Sequence, residues 1–86
     1  MSEETWMIER VGVGARDVGT PVLWFDVVDG MASGALQVLR LDDERATELL
    51  SAAYEVHSLN GRMCRVENTD GTVRFLRLLP AAKVNP

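Results

Sequence analysis

GALQVLRLDDERATELLSAAYEVHSLNG, residues 34–61, decides the fold, because its periodicity changes partway along. Gly34 to Leu41 alternates, with Leu36, Val38 and Arg40 sharing one face, and reads as a strand. After Asp42 the spacing becomes helical. Ala46, Leu49, Leu50, Ala53 and Val56 form one apolar stripe, while Arg45, Glu48 and Glu55 point away from it. Asp42 or Asp43 can cap this helix, and Asp43 and Glu44 stand near the positive end of its dipole. Asn60-Gly61 supplies a stop, so the spacing predicts one helix from about Asp43 to His57 or Ser58.

The segments on either side read as strands. VLWFDVV (Val22 to Val28) is rich in β-branched and aromatic residues and is the strongest strand signal in the chain. TWMIERVGV (Thr5 to Val13) precedes it, with Trp6 and Ile8 on one face and Met7, Val11 and Val13 on the other, around Glu9. GARDVGTP and DGMASG connect the strands. Downstream, LNGRMCRVENTDGTVRFLRLLP (residues 59–80) reads as a hairpin with two candidate registers. A Thr69-Asp70-Gly71 loop sets Val66 opposite Arg74 and Arg65 opposite Phe75. An Asn68-Thr69-Asp70-Gly71 loop sets Val66 opposite Val73 and Cys64 opposite Phe75, which pairs apolar with apolar and is preferred. That choice also sets Arg65 opposite Arg74 and Arg62 opposite Arg77. Such like-charge pairs call for an acidic neighbour, Glu9 or Asp26 for instance, or for an anion from a partner.

The order is therefore β-β-β-α-β-β. The expected class is α+β, an antiparallel sheet of about five strands with one helix packed on one face. Eighty-six residues make a single domain, 1–86, with residues 81–86 a loose tail. A single helix covers one face of such a sheet. Of the neighbours Trp24 and Phe25, one enters the core and the other lies on the far face. Trp6 with Trp24, or Phe25, can then form an exposed apolar patch that marks a partner or dimer surface.

One cysteine cannot form an internal disulfide, which points to a reducing, cytoplasmic setting. The acidic N-terminus lacks the apolar stretch of a signal peptide, and the apolar runs are far shorter than a membrane span needs. The net charge of −4 is unevenly spread. Residues 1–61 hold four Arg against eleven Asp and Glu, a net −7; residues 62–86 hold four Arg and Lys83 against Glu67 and Asp70, a net +3. An acidic chain argues against general nucleic-acid binding, which draws its affinity from neutralised phosphates. The two halves are expected to face one another in the fold, with Arg62, Arg65, Arg74 and Arg77 as a candidate contact surface for an anionic partner.

No catalytic or cofactor signature stands. GVGARDVGTP (residues 12–21) has Asp17 at the third glycine position of a dinucleotide fingerprint. As a P-loop it has Thr20-Pro21 where Lys and a hydroxyl residue are needed. His57 and Cys64 are single residues of their kinds, and read as a helix-end cation and a small core residue rather than a dyad or a zinc site. Asp42-Asp43-Glu44 reads as a helix cap rather than a cation site, and Asp26 and Asp29 point to opposite faces of their strand. The chain is thus expected to be no enzyme, with no cofactor and no metal.

The layout resembles a loose group of small proteins encoded by bacteriophages and related mobile elements. The resemblance is carried by Gly14-Ala15-Arg16-Asp17-Val18-Gly19, then Leu23-Trp24-Phe25, Gly30 to Gly34, Leu41-Asp42, and Leu59-Asn60-Gly61-Arg62-Met63-Cys64-Arg65-Val66. Members of that group often have His where this chain has Val18, and a Gly-Gly-Gln turn where it has Met31-Ala32-Ser33. A polar site at those positions is therefore expected to be lost here. Proteins of this size and acidity from such sources include inhibitors of host defence systems, anti-CRISPR proteins among them. The resemblance implies a non-catalytic protein that blocks a host nuclease or defence complex by protein–protein contact. The alternative is a self-associating module, a homodimer pairing its bare sheet faces.

Overall fold

The computed structural model of the chain describes residues 2–15, 19–31 and 33–80. Positions 16–18 and 32, on which part of the resemblance rests, and the expected tail at 81–86 lie outside the described residues. The elements are β1 (Ser2–Gly14), β2 (Val22–Val28), β3 (Gly34–Arg40), α1 (Glu44–Ala52), a 3-10 turn (Val56–Leu59), β4 (Met63–Thr69) and β5 (Thr72–Leu78). They form one five-stranded sheet in the order β3-β2-β1-β4-β5, every neighbouring pair antiparallel, with one α-helix. The expected α+β class and element order are those observed.

The sheet curls until its two edge strands, β3 and β5, approach each other. Its concave side holds the core: Trp6, Ile8, Val11, Leu23, Phe25, Val27, Leu39, Cys64, Val66 and Phe75, joined by Ala46 and Leu49 of α1 and by Leu59. Phe25 and Phe75 meet edge to face, ring centroids 5.3 Å apart at 85°, an arrangement that aromatic quadrupoles favour. The helix lies between the third and fourth strands in sequence, and the order β3-β2-β1-β4-β5 places the first strand in the middle of the sheet.

Gln37 closes the seam. It is the one buried polar residue among those described. Its Nε2 donates to the Val73 carbonyl (2.9 Å) and its Oε1 accepts from the Phe75 amide (2.9 Å). The side-chain amide of β3 thus stands in for a missing strand along β5. Two residues of α1 continue the cover. Arg45 donates to the Phe75 carbonyl (2.9 Å), and the Glu48 carboxylate accepts from the Leu78 amide (3.2 Å). Arg45 and Glu48 are expected to point away from the core, and they do: Glu48 is exposed and Arg45 partly so, and both reach back to a strand edge. An exposed β edge has unpaired backbone groups that demand partners, and these long side chains provide them.

The faces of β1 do not follow simple alternation. Glu9 pairs with Asp26 and Gly12 with Trp24, so Arg10 and Val11 together stand opposite the single residue Phe25. Arg10 takes the left-handed conformation (φ 54°) of this bulge. Val11 consequently turns into the core instead of joining Met7 on the other face, which corrects the alternation read from the sequence. Asn60 Oδ1 accepts from the Val11 amide at 3.1 Å and holds the bulge.

The helix is shorter than its spacing predicts. Asp43 caps it, accepting from the Arg45 amide at 2.8 Å. It ends at Ala52, with Ala53 extended. A separate 3-10 turn then brings Leu59 into the core and Asn60 to the bulge. Those two tertiary demands interrupt a stripe that by itself would continue. Asn60-Gly61 therefore ends the 3-10 turn, not the helix.

Neither expected hairpin register occurs. Asp70 (φ 51°) and Gly71 (φ 87°) form a two-residue turn with both residues left-handed, which matches the twist of the strands it joins. Thr69 faces Thr72, Glu67 faces Arg74 and Val66 faces Phe75. A bulge at Leu76 then shifts the ladder, so that Arg65 faces Arg77 and Cys64 faces Leu78. The bulge keeps Phe75 and Leu78 both on the core side, which no unbroken register allows.

Candidate docking surface

The convex side of the sheet presents successive rows of side chains, read across the strands from the pairing. One row runs Leu36, Asp26, Glu9; the next Val28, Met7, Met63; the next Thr5, Arg65, Arg77. Beside the first row, Val38 pairs with Trp24, which pairs with Gly12. Leu36 (52% exposed), Val38 (50%) and Met63 (42%) are among the most exposed large apolar residues of the chain. An open concavity of about 560 Å3 lies among Met7, Glu9, Arg10, Asp26, Val28 and Leu36.

The expected aromatic patch is only partly there. Trp6 and Phe25 are buried in the core, because both lie on the concave side, and neither is available to a partner. The Trp6 indole N–H reaches the Glu4 carboxylate at 3.0 Å and holds it below the usual carboxylate range, with help from Ser2. Trp24 is the residue that lies on the convex face, half-buried over Gly12. Any side chain at Gly12 would meet the Trp24 ring.

The four arginines of the hairpin are engaged within the chain. Arg65 donates to Glu3 (3.1 Å) and to Thr5, and Arg77 reaches the same Glu3 carboxylate at 2.8 Å. These two hydrogen bonds, Arg65 first, hold the Glu3 carboxyl below its ordinary range. One acid from β1 thus answers the like-charge pair Arg65 and Arg77. It is Glu3, not the expected Glu9 or Asp26, because the actual register carries Arg65 to the start of β1. Arg74 approaches Glu67 across the hairpin at 3.6 Å, and Arg62 donates to the Leu79 carbonyl at 3.0 Å. The acidic start of the chain and its basic end do meet, at Glu3.

At the other end of the convex face, Glu9 and Asp26 are directly opposite one another. Like charges across a ladder repel, and the left-handed Arg10 turns outward to pair with Asp26 at 3.0 Å. Glu9 has no such partner among the described residues. The surface therefore has an excess carboxylate at one end and an excess guanidinium at the other, with an apolar row between.

His57 and Cys64 are not brought together as a reactive pair. Cys64 is fully buried, and desolvation pushes its thiol up to about 12. His57 lies on the exposed 3-10 turn beside Glu55, at 3.7 Å. Among the described residues, no three His, Cys, Asp or Glu side chains converge on a point a metal could occupy, and no helix is long and apolar enough to cross a membrane. No protein-family model matches the chain, and neither a curated protein nor a solved structure is significantly similar to it.

Proposed function

We propose that the chain is a non-catalytic binding protein that contacts another protein through the β2–β3 part of its convex face. The exposed pair Leu36 and Val38, backed by Trp24, carries this reading. Adjacent exposed aliphatic residues beside an aromatic ring are what a binding patch presents, whereas apolar surface residues are otherwise scattered singly. The specific form suggested by the resemblance is inhibition of a host defence enzyme, by covering a surface that the enzyme needs.

Some small five-stranded barrels bind oligonucleotides on the face of their second and third strands. A fold does not carry its function with it. Here Glu9 and Asp26 stand on that face and the chain is acidic overall, which opposes phosphate binding.

The test compares the native chain with Leu36→Asp/Val38→Asp as tagged baits in nuclease-treated bacterial lysate. A single stoichiometric host protein retained by the native chain and lost by the variant is the expected result. That protein's enzymatic activity, assayed with and without the native chain, then tests inhibition. Equal retention by both baits, or none by either, overturns the reading.

A further inference from the structure

The proposed partner contact rests on Leu36 and Val38 of β3. The neighbouring rows, centred on β1, have a pattern that fits a second copy of this chain. Met7 pairs with Val28 on one side and Met63 on the other, giving an apolar row across three strands. Two residues further along, roughly 7 Å, lie Glu9 and Asp26. Two residues the other way lie Thr5, Arg65 and Arg77. Asp26 is thus one strand to one side of Met7, and Arg65 one strand to the other side in the opposite direction along the strand.

We infer that two copies associate through this face, with a two-fold axis lying in the contact plane over Met7, at right angles to the Asp26–Arg65 diagonal. Met7 then meets Met7, and the Glu9–Asp26 end of each copy lies over the Arg65–Arg77 end of the other. Such an interface is isologous: one patch serves both partners, and every contact off the axis occurs twice. The charges left over inside each copy are the ones that match. Glu9 has no ion-pair partner among the described residues at the acidic end. Arg65 and Arg77 share the single carboxylate of Glu3 at the basic end, with the Arg77 side chain 54% exposed. The concavity beside Glu9 and Asp26, lined also by Arg10, gives the incoming guanidinium a place to enter next to the unanswered Glu9, with Met7 and Val28 as walls against which its aliphatic stem can lie.

Sedimentation velocity over a concentration and salt series tests the inference with the whole chain. The expected result is a reversible dimer at tens of micromolar, weakened by added salt because the matching charges lie near the rim. Met7→Lys, which places two ammonium groups on the axis, should abolish it while leaving the melting temperature nearly unchanged. Glu9→Arg and Arg77→Glu should each weaken the dimer about tenfold, two exposed ion pairs being lost in each case. Together they should restore it, since the charges are then exchanged. A monomer at hundreds of micromolar in low salt overturns the inference, as does a dimer indifferent to Met7→Lys and to both charge reversals. A monomeric chain that still retains a host protein through Leu36 and Val38 would refute this pairing and leave the binding reading standing.

Discussion

Gln37 on β3 holds Phe75 on β5 through its side-chain amide, at 2.9 Å, across a seam that no backbone ladder closes. The same amide binds the Val73 carbonyl, so one buried side chain satisfies two backbone groups of the opposite edge. The two edge strands of the five-stranded sheet are joined here by a side chain rather than by a ladder.

Gln37→Leu keeps the bulk and removes both bonds across the seam, along with the local one to the Leu36 carbonyl. It leaves the part-buried Val73 carbonyl and the buried Phe75 amide without these partners, each costing up to about 1–3 kcal/mol. The expected loss of stability in urea unfolding is roughly 2–4 kcal/mol. Gln37→Glu should cost at least as much as Gln37→Leu near neutral pH, since it keeps the acceptor for Phe75 but buries a carboxylate against the Val73 carbonyl, and should recover partly on acidification, when the protonated carboxyl can donate.

Gly12 lies under the Trp24 ring, so Gly12→Ala must displace the indole. A destabilisation of about 1–3 kcal/mol is expected, as for other overpacked sites. Because Trp6 is buried in the core, the change should appear as a shift of the more exposed tryptophan emission. A Trp24→Phe background checks the assignment, and the shift should vanish there.

Cys64 is buried, and its thiol is pushed up to about 12. At pH 8 it should react with a disulfide reagent only through opening of the fold. The reaction should therefore be slow in the native chain and fast in denaturant, while exposed model thiols react at once. Gln37→Leu should speed the native reaction about tenfold for each ~1.4 kcal/mol of stability it removes.

Asp43 caps α1, and its carboxyl is held below its ordinary range first by hydrogen bonds from the Arg45 side chain, then by the Arg45 amide. A carboxyl with a lowered folded-state pKa stabilises the fold above its unfolded pKa. That contribution is lost as pH falls through the lower, folded value. Stability should thus decline in the acid range below the ordinary Asp value of 3.8. Asp43→Asn should lower stability at neutral pH and flatten the acid limb of the curve. Urea unfolding at several pH values checks both.

The sequence alone was enough for the class of fold. The change from alternating to helical spacing after Leu41, the β-branched run of Val22 to Val28, and the Asp43 cap are local signals, and local signals survive without tertiary context. The hairpin turn was legible too: Asp70-Gly71 is a strong two-residue turn signal, and reading it as a longer loop put the register wrong. What no local pattern shows is where the ladder slips. The bulges at Arg10 and Leu76 arise because Val11, Phe75 and Leu78 must all reach one core, a demand set by strands distant in sequence. The same holds for the convex face. Trp6, Trp24 and Phe25 look alike as exposed aromatic candidates in the sequence, and only the curl of the sheet decided that Trp24 faces outward. The partners of the arginines were likewise settled by register, since Glu3 meets Arg65 and Arg77 only when the start of β1 lies against β4. Local propensity therefore determined the elements. Burial, which is a property of the whole chain, determined their faces, their slips and the surface left open to a partner.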